Sequence, residues 1–128
     1  MRTFIVGNGG HARVIESQLQ ISGHKEIFFI IGNEEICNKE NLIKEKDFFS
    51  LDNILENETY IGLGFKAGSS LRQKVFDRFK KHNITFSSTV HPHSFFDKSS
   101  FIGEGSQVLA GTVIMNDTFI GLNSLINT

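Results

Sequence analysis

The sequence SFFDKSSFIGEGSQVLAGTVIMNDTFIGLNSLINT, residues 94–128, repeats its chemistry every six residues. One position of the repeat is always large and apolar, and it is filled by Phe96, Ile102, Val108, Ile114, Ile120 and Ile126. The position two places earlier always carries a hydroxyl group, in Ser94, Ser100, Ser106, Thr112, Thr118 and Ser124. A period of six matches neither the 3.6-residue period of an α-helix nor the two-residue period of a strand. It is typical of a parallel β-helix, in which each hexad gives a short strand, an inward apolar side chain and a corner.

A third position of the repeat predicts the corners. Three places after the apolar residue come Gly105, Gly111, Asp117 and Asn123, which are the residue types that most easily adopt left-handed backbone conformations. If three hexads form one triangular coil, as in the left-handed version of the fold, the chain from Phe95 onward supplies just under two coils. Such coils bury their apolar faces against neighbouring coils. We therefore expect the last coil to be uncovered, with Ile114, Ile120 and Ile126 exposed.

The first part of the chain alternates strand and helix patterns. The patterns predict strands over 3–6, 27–31 and 59–64, helices over 10–22, 50–55 and 70–82, and a fourth extended segment over 84–90. Strands separated by helices pair in parallel through right-handed crossovers. We therefore predict an α/β fold: a small Rossmann-like parallel sheet with flanking helices at residues 1–90, followed by the first coils of a left-handed parallel β-helix at residues 91–128.

Composition excludes several classes of function. Lys and Arg total 13 against 14 Asp and Glu, without a long block of either sign, so nucleic acid is not an expected partner. The longest apolar run, 27–31, is far shorter than the roughly 20 residues of a membrane span, and the N-terminus lacks the apolar h-region of a signal peptide. We therefore expect a cytoplasmic protein without a membrane span. The single cysteine, Cys37, and the pair His91 and His93 have no partners at metal-ligand spacing, so no metal site is predicted.

The segment Gly7-Asn8-Gly9-Gly10-His11-Ala12 joins the first strand to the first helix and fits a G-x-G-x-x-A pattern. Gly7 permits the tight turn, Gly9 lets the backbone approach a ligand, and Ala12 allows close packing of helix on sheet. Backbone N–H groups at a helix start favour an anion, so a pyrophosphate or nucleotide phosphate is the natural occupant. A turn needed only for packing is the alternative. His11 could donate to a phosphate oxygen or cap the turn.

Two further segments end at the same carboxyl edge of the predicted sheet, where open α/β sheets bind ligands. Asn33 and Glu34 follow the second strand and are candidates for ribose or base contacts, or else solvated loop residues. After the third strand come Gly64, Phe65 and Lys66, with Arg72 further along the chain. Lys66 or Arg72 could reach a phosphate, and a solvated basic face is the alternative. The glycine turn alone would also suit a nicotinamide-dependent oxidoreductase, but the hexads have no place in such an enzyme.

Taken together, these motifs resemble the NeuD/PglD-like sugar O-/N-acyltransferases. The resemblance covers essentially the whole chain. Its motifs are Gly7-Asn8-Gly9-Gly10-His11-Ala12-Arg13-Val14-Ile15, Ile61-Gly62-Leu63-Gly64 with Arg72 downstream, Val90-His91-Pro92, and Phe101-Ile102-Gly103-Glu104-Gly105. Each motif is weak alone, and their order in one chain is what makes the resemblance specific.

The resemblance implies an acetyltransferase of surface-glycan precursor synthesis. Its α/β domain would bind either an amino sugar linked to a nucleotide, namely UDP, or a sialic acid. Its β-helix would bind acetyl-CoA as a co-substrate, with no permanently bound cofactor, and would assemble a homotrimer with active sites between subunits. The family's catalytic histidine follows a motif like Ile126-Asn127-Thr128, so we expect it beyond Thr128 and expect these 128 residues to bind without catalysing. A non-catalytic nucleotide-sugar-binding module is the alternative.

Overall fold

The computed structural model describes residues 2–128, which form an α/β unit followed by a β-helix. The α/β unit contains β1 (Thr3–Val6), α1 (Gly10–Ile21), β2 (Ile27–Ile31), β3 (Leu42–Lys44), α2 (Glu45–Phe49), β4 (Glu58–Ile61) and α3 (Leu71–Lys80). Its strands form one sheet in the order β3-β2-β1-β4, and every pair in it is parallel. The predicted parallel α/β sheet is therefore present.

Strand β1 lies at the centre of this sheet with all four residues buried. Phe4 and Val6 point to one side, where they meet Val75 and Phe79 of α3. On the other side Ile5 meets a second apolar cluster that includes the α1 residues Ala12, Ile15 and Leu19. Helices thus cover both faces of the sheet, which explains why β1 has no polar alternation.

Between β2 and β4 the structure differs from the prediction. The predicted helix over 50–55 is wrong. Helix α2 lies earlier, at Glu45–Phe49, and a short 3₁₀-helix at Ile54–Glu56 follows it. The ring of Phe48 is fully buried against Phe4, with ring centroids 5.0 Å apart. Asn53 has a positive φ of 56°, which ends any continuous helix there. Burial of Phe48 thus positions α2, and the unpredicted edge strand β3 leads directly into it.

Residues 89–128 form the β-helix. Its strands are β5 (Thr89–Val90), β6 (Phe95–Phe96), β7 (Phe101–Ile102), β8 (Gln107–Val108), β9 (Val113–Ile114), β10 (Phe119–Ile120) and β11 (Leu125–Ile126). They pair in parallel as β5-β8-β11, β6-β9 and β7-β10. Three hexads therefore make one coil, as predicted. The fourth extended segment is not a strand of the α/β sheet: Ser87 donates one backbone hydrogen bond to Thr59 of β4, and Thr89 and Val90 pair with β8.

The corner and hydroxyl positions behave as the repeat requires. All four predicted corner residues have positive φ: 75° at Gly105, 78° at Gly111, 57° at Asp117 and 52° at Asn123. Ser106 shows why a hydroxyl group recurs at this position of the repeat. It donates to the Gly121 carbonyl and accepts from the Ser124 backbone N–H at 2.8 Å. Such bonds tie one coil to the next, so the hydroxyl position stabilises the stacking.

The inward apolar position forms the core of the β-helix. Val108, Ile114 and Ile120 are buried, and Phe96, Ile102 and Ile126 are partly buried against them. The expectation that Ile114 and Ile120 would be exposed is therefore wrong. The other two walls of the coil and the coil before it already cover these side chains, so an open end uncovers little more than Ile126. Across residues 2–128, no helix is both long enough and apolar enough to cross a membrane.

Candidate functional site

The glycine turn begins where β1 ends. Gly7 has a φ of 109°, and a Cβ there would lie 3.2 Å from the Gly62 carbonyl oxygen, so only glycine fits without strain. Around Gly9 and Gly10 a Cβ would meet nothing within 4 Å, which leaves the turn open to a ligand. No side chain caps the start of α1, and its first turn carries no acidic residue. The turn can therefore present backbone N–H groups to an anion.

Ala12 has a packing position in this turn. It is fully buried, and a Cβ on Gly62 would lie 2.7 Å from the Val6 carbonyl oxygen and 3.1 Å from the Ala12 Cα. Helix α1 thus packs directly against the backbone at Gly62, the residue that follows β4. A small residue at position 12 and a glycine at position 62 are both needed for this approach, and Ala12 has no exposed surface with which to touch a ligand.

A cavity of about 190 Å³ lies at the carboxyl edge of the sheet beside the turn. Its lining includes Gly7 and Asn8 after β1, Gly32 and Glu35 after β2, and Leu71 and Arg78 of α3. In the sheet, β2 lies on one side of β1 and β4 lies on the other, so the strand order reverses at β1. Open sheets bind ligands at such a reversal of strand order. We call this cavity the edge cavity.

The acid that the sequence placed at this edge is shifted by one residue. Both Glu34 and Glu35 are exposed, but only Glu35 lines the edge cavity. The Asn33 side chain accepts a hydrogen bond from the Lys46 backbone N–H at 2.8 Å, so it serves the start of α2. A second acid, Glu45, lines the cavity and forms a bidentate ion pair with Arg78. Its shortest contact is 2.8 Å, between Arg78 Nη2 and Glu45 Oε1. Sequence reasoning missed Glu45 because its place depends on α2.

The loop after β4 carries three predicted site residues. Gly64 lies over His11, since a Cβ on Gly64 would come within 3.4 Å of the His11 Cβ. Phe65 is 77 % exposed, and Lys66 is exposed beside it. The structure thus brings Gly64 and His11 together and leaves Phe65 and Lys66 on the open surface of the loop.

Arg72 does not line the edge cavity. Its side chain is buried, and the guanidinium donates to the Leu63 carbonyl, to the Gly105 carbonyl at 3.1 Å and to the Asn123 carbonyl at 3.3 Å. Burial lowers the pKa of Arg72 to about 10, which still leaves it charged at neutral pH. The prediction that Arg72 reaches a phosphate is corrected by this geometry. All of these acceptors belong to the junction between the α/β unit and the β-helix.

Gln107 lies at the centre of this junction and was missed from the sequence. Its amide Nε2 donates to the Ile61 carbonyl, and its Oε1 accepts from His11 Nε2 at 2.8 Å and from Arg72 Nη1 at 3.4 Å. It is fully buried although it occupies an outward position of strand β8. One signal was visible in the sequence. Gln107 is the only amide among the outward hexad positions Phe95, Phe101, Gln107, Val113, Phe119 and Leu125.

The junction also changes the acidity of His11. Burial lowers the pKa of the His11 imidazole, the hydrogen bond to Gln107 raises it in part, and the positive charge of Arg72 lowers it further. The net direction is downward, so His11 is mainly uncharged at neutral pH. A neutral histidine lacks the second N–H with which an imidazolium would bind a phosphate.

A second cavity, of about 530 Å³, runs between helix α1 and the β-helix. We call it the seam groove. Its lining includes Arg13 and Ser17 of α1, His91 at the start of the β-helix, and Leu109 and Asn127 of the hexads. His91 Nδ1 accepts a hydrogen bond from the His93 backbone N–H. Within residues 2–128, no three His, Cys, Asp or Glu side chains are grouped to hold a metal ion.

The chain thus joins an α/β unit with an open glycine turn to a β-helix of hexads. No family model and no curated protein matches the chain. Solved structures do match it. PerB from Caulobacter crescentus, in complex with CoA and GDP-perosamine, has a TM-score of 0.81 and 25% identity, over 100% of this chain and 60% of that one.

Two other solved structures have the same fold. A variant of perosamine N-acetyltransferase from Caulobacter crescentus, in complex with CoA and GDP-perosamine, has a TM-score of 0.82 at 24% identity, over 100% of this chain and 60% of that one. The acetyltransferase domain of PglB from Neisseria gonorrhoeae has a TM-score of 0.80 at 19% identity, over 99% of this chain and 62% of that one. The resemblance to the NeuD/PglD-like acyltransferases is thus confirmed in the fold: a small Rossmann-like sheet followed by the first coils of a left-handed β-helix. The chain spans 60% of the length of PerB.

Proposed function

We propose that this chain binds a nucleotide-linked amino sugar and belongs to an acetyl-CoA-dependent sugar acetyltransferase. The observation that carries the proposal is the junction. Gln107 and Arg72 attach the open glycine turn and the loop after β4 directly to the hexads. The chain shares its fold with PerB, which is 25% identical and was solved with CoA and GDP-perosamine.

The diphosphate would lie on the glycine turn. Backbone N–H groups at the start of α1 and the dipole of this twelve-residue helix favour negative charge there. The nucleoside would extend into the edge cavity, where the Glu35 carboxylate can accept hydrogen bonds from ribose hydroxyls or from base N–H groups. The sugar would then leave the turn on its other side, toward His11 and the β-helix. Both guanine and uracil offer N–H donors, so the base is left to experiment.

The chemistry would be transfer of an acetyl group from the sulfur of acetyl-CoA to the sugar nitrogen. The amine attacks the thioester carbonyl and loses a proton to a base, and CoA leaves as the thiol once its sulfur is protonated. Hydrogen-bond donors stabilise the oxyanion that forms between these steps. The proposal assigns the base to the histidine that the resemblance places after Ile126-Asn127-Thr128, and it assigns no catalytic residue to residues 1–128.

The assembly would be a homotrimer formed through the β-helix. Two neighbouring walls of the β-helix expose large apolar side chains, with Phe95 52 %, Phe101 55 %, Val113 63 % and Phe119 73 % exposed. The rings of Phe101 and Phe119 stack with centroids 5.0 Å apart and form one flat apolar surface. Exposed patches of this kind mark contacts between proteins. A second copy of the chain, with the same repeat spacing, is the partner that we propose.

The experiment mixes acetyl-CoA and GDP- or UDP-linked amino sugars with the protein from the complete reading frame and measures thiol release. We expect release with at least one amino sugar and none with the counterpart that carries a hydroxyl group in place of the amine. Calorimetry on the 128-residue chain measures binding separately. Binding without thiol release by the complete protein would favour the non-catalytic binding module, and the absence of any nucleotide binding would contradict both functions.

A further inference from the structure

His11 joins the glycine turn to the β-helix through one hydrogen bond, from its Nε2 to the side chain of Gln107 at 2.8 Å. An amide can offer an imidazole either its oxygen, which accepts, or its NH₂ group, which donates. The polarity of this bond therefore depends on which way the Gln107 amide is turned. The other neighbours of the amide decide that question.

Two neighbours of opposite character fix the amide. The Ile61 carbonyl oxygen can only accept, and the Gln107 amide meets it at 2.5 Å, so the NH₂ group faces Ile61. The Arg72 guanidinium can only donate, and it lies 3.4 Å from the other end of the amide, so Oε1 faces Arg72. Turning the amide around would set oxygen against oxygen and N–H against N–H. Oε1 therefore faces His11, and His11 Nε2 must be the donor.

A ring that donates from Nε2 is either a neutral imidazole or an imidazolium. The groups around His11 favour the neutral form. Burial lowers the pKa of His11, and the charged group facing it, Arg72 of α3, is positive. Gln107 from β8 and Gly64 from the loop after β4 are uncharged. Since Nε2 holds the one proton of the neutral ring, Nδ1 carries a lone pair, and within residues 2–128 it has no hydrogen-bond partner.

We propose that Gln107 holds His11 as a neutral Nε2–H imidazole whose Nδ1 accepts a hydrogen bond from a hydroxyl or amino group of the bound sugar. This inference rests on the proposed function for the identity of the ligand. A phosphate oxygen has only lone pairs to offer and would oppose the lone pair of Nδ1. His11 therefore does not act as the phosphate donor that the glycine turn suggested. It is a specificity residue for the sugar, and Gln107 is a positioning residue that acts through it.

The position of His11 agrees with this assignment. The edge cavity is lined by residues at the ends of β1 and β2, by Leu63 after β4 and by α3. His11 does not line it and lies beside the same glycine turn, between Gly64 and Gln107. A ligand whose diphosphate rests on the turn and whose nucleoside enters the edge cavity would therefore bring its sugar to His11.

The tautomer is tested in the free protein by nitrogen-15 NMR of the histidine rings, with the His11 signals assigned from their loss in His11→Gln. We expect the neutral Nε2–H form at pH 7 and a titration below that of a solvent-exposed histidine. We further expect Gln107→Glu, which places a carboxylate beside the ring, to raise the His11 titration point. An Nδ1–H tautomer or an imidazolium at pH 7 in the unsubstituted protein would overturn the proposal. If Gln107→Glu does not fold, the spectrum of the unsubstituted protein decides.

The ligand contact is tested by calorimetry with GDP and GDP-perosamine, and with UDP and UDP-linked amino sugars, as probes. The His11→Gln substitution keeps an NH₂ donor for Gln107 but removes the Nδ1 acceptor. We expect it to weaken binding of the nucleotide sugar about tenfold and to change binding of the nucleoside diphosphate less than about twofold. Because His11 stays neutral on binding, it should take up no proton. Any dependence of the binding heat on the buffer should therefore be the same in His11→Gln and in the unsubstituted protein.

Equal loss of both ligands, or proton uptake on binding that His11→Gln abolishes, would show that His11 donates to a phosphate and would overturn the proposal. If no nucleotide binds, the proposed function fails and the sugar contact fails with it. The NMR result in the free protein still decides whether Gln107 holds the tautomer, so the two failures can be told apart.

Discussion

His11 in the glycine turn donates a hydrogen bond to Gln107 in the β-helix, 96 positions away in the sequence, at 2.8 Å. Gln107 in turn binds the Ile61 carbonyl and Arg72. One buried side chain of the β-helix therefore contacts the last residue of β4, the second residue of α1 and a side chain of α3. The geometry of the ligand edge depends on the β-helix as well as on the α/β unit.

Replacing Gln107 should destabilise the protein. In Gln107→Ala the Ile61 carbonyl loses the Gln107 donor and His11 Nε2 loses its acceptor, both in a buried place, while Arg72 keeps its backbone acceptors. We expect a loss of about 2–4 kcal/mol in the free energy of unfolding, because buried polar groups without partners cost about 1–3 kcal/mol each and part of that cost is relieved by relaxation. Chemical denaturation measures it. The exposed Gln20→Ala is the control, and equal midpoints for the two variants would contradict the role of Gln107.

Charge at the glycine turn should govern nucleotide binding. A Cβ at position 9 would meet nothing within 4 Å, and Asp and Asn both cap helices well, so Gly9→Asp and Gly9→Asn should fold alike. Only the Asp variant places a negative charge beside the diphosphate. We expect Gly9→Asp to bind nucleoside diphosphates at least about tenfold more weakly than Gly9→Asn by calorimetry. Equal affinities would show that the phosphates lie elsewhere.

Stability should fall on acidification in a way that depends on His11. Its pKa is lower in the folded protein than its ordinary value of 6.5. The unfolded chain therefore takes up the proton first as the pH falls, so the contribution of His11 to stability is fully present above that value and is lost below it. The unfolding free energy should drop less between pH 7 and pH 5 in His11→Gln than in the unsubstituted protein. Parallel pH curves, measured by denaturation, would rule out a lowered pKa at His11.

The exposed aromatic surface should control self-association. The Phe119 ring is 73 % exposed and stacks on Phe101, so Phe119→Asp puts a charge in the middle of the proposed contact between copies. We expect at least about tenfold weaker association by sedimentation velocity, with little change in the stability of the single chain. Ile36→Asp serves as the control, since Ile36 is 80 % exposed in the distant loop after β2. Similar effects of the two substitutions would place the contact elsewhere.

Local sequence was sufficient wherever the structure repeats or turns tightly. The hexads fix their own strands and corners, because an inward aliphatic, a hydroxyl and a left-handed corner residue recur in the same order in each. The glycine turn is likewise local, since the φ of 109° at Gly7 requires a glycine. Residues 41–56 were harder to interpret, because the position of α2 depends on the burial of Phe48 against Phe4, which is distant in sequence.

The sequence by itself determined that the chain has an α/β unit, a glycine turn and a β-helix, since each follows from short-range periodicity and backbone preference. Only the tertiary structure decided what the polar residues do. Arg72 was a candidate phosphate ligand, and its buried guanidinium instead binds backbone carbonyls at the junction. Glu35 lines the edge cavity in place of Glu34, and Gln107 fixes the position of the proton on the His11 ring. These roles depend on which wall of the β-helix meets the α/β unit. That choice is made by packing between residues far apart in the chain, where no local pattern records it.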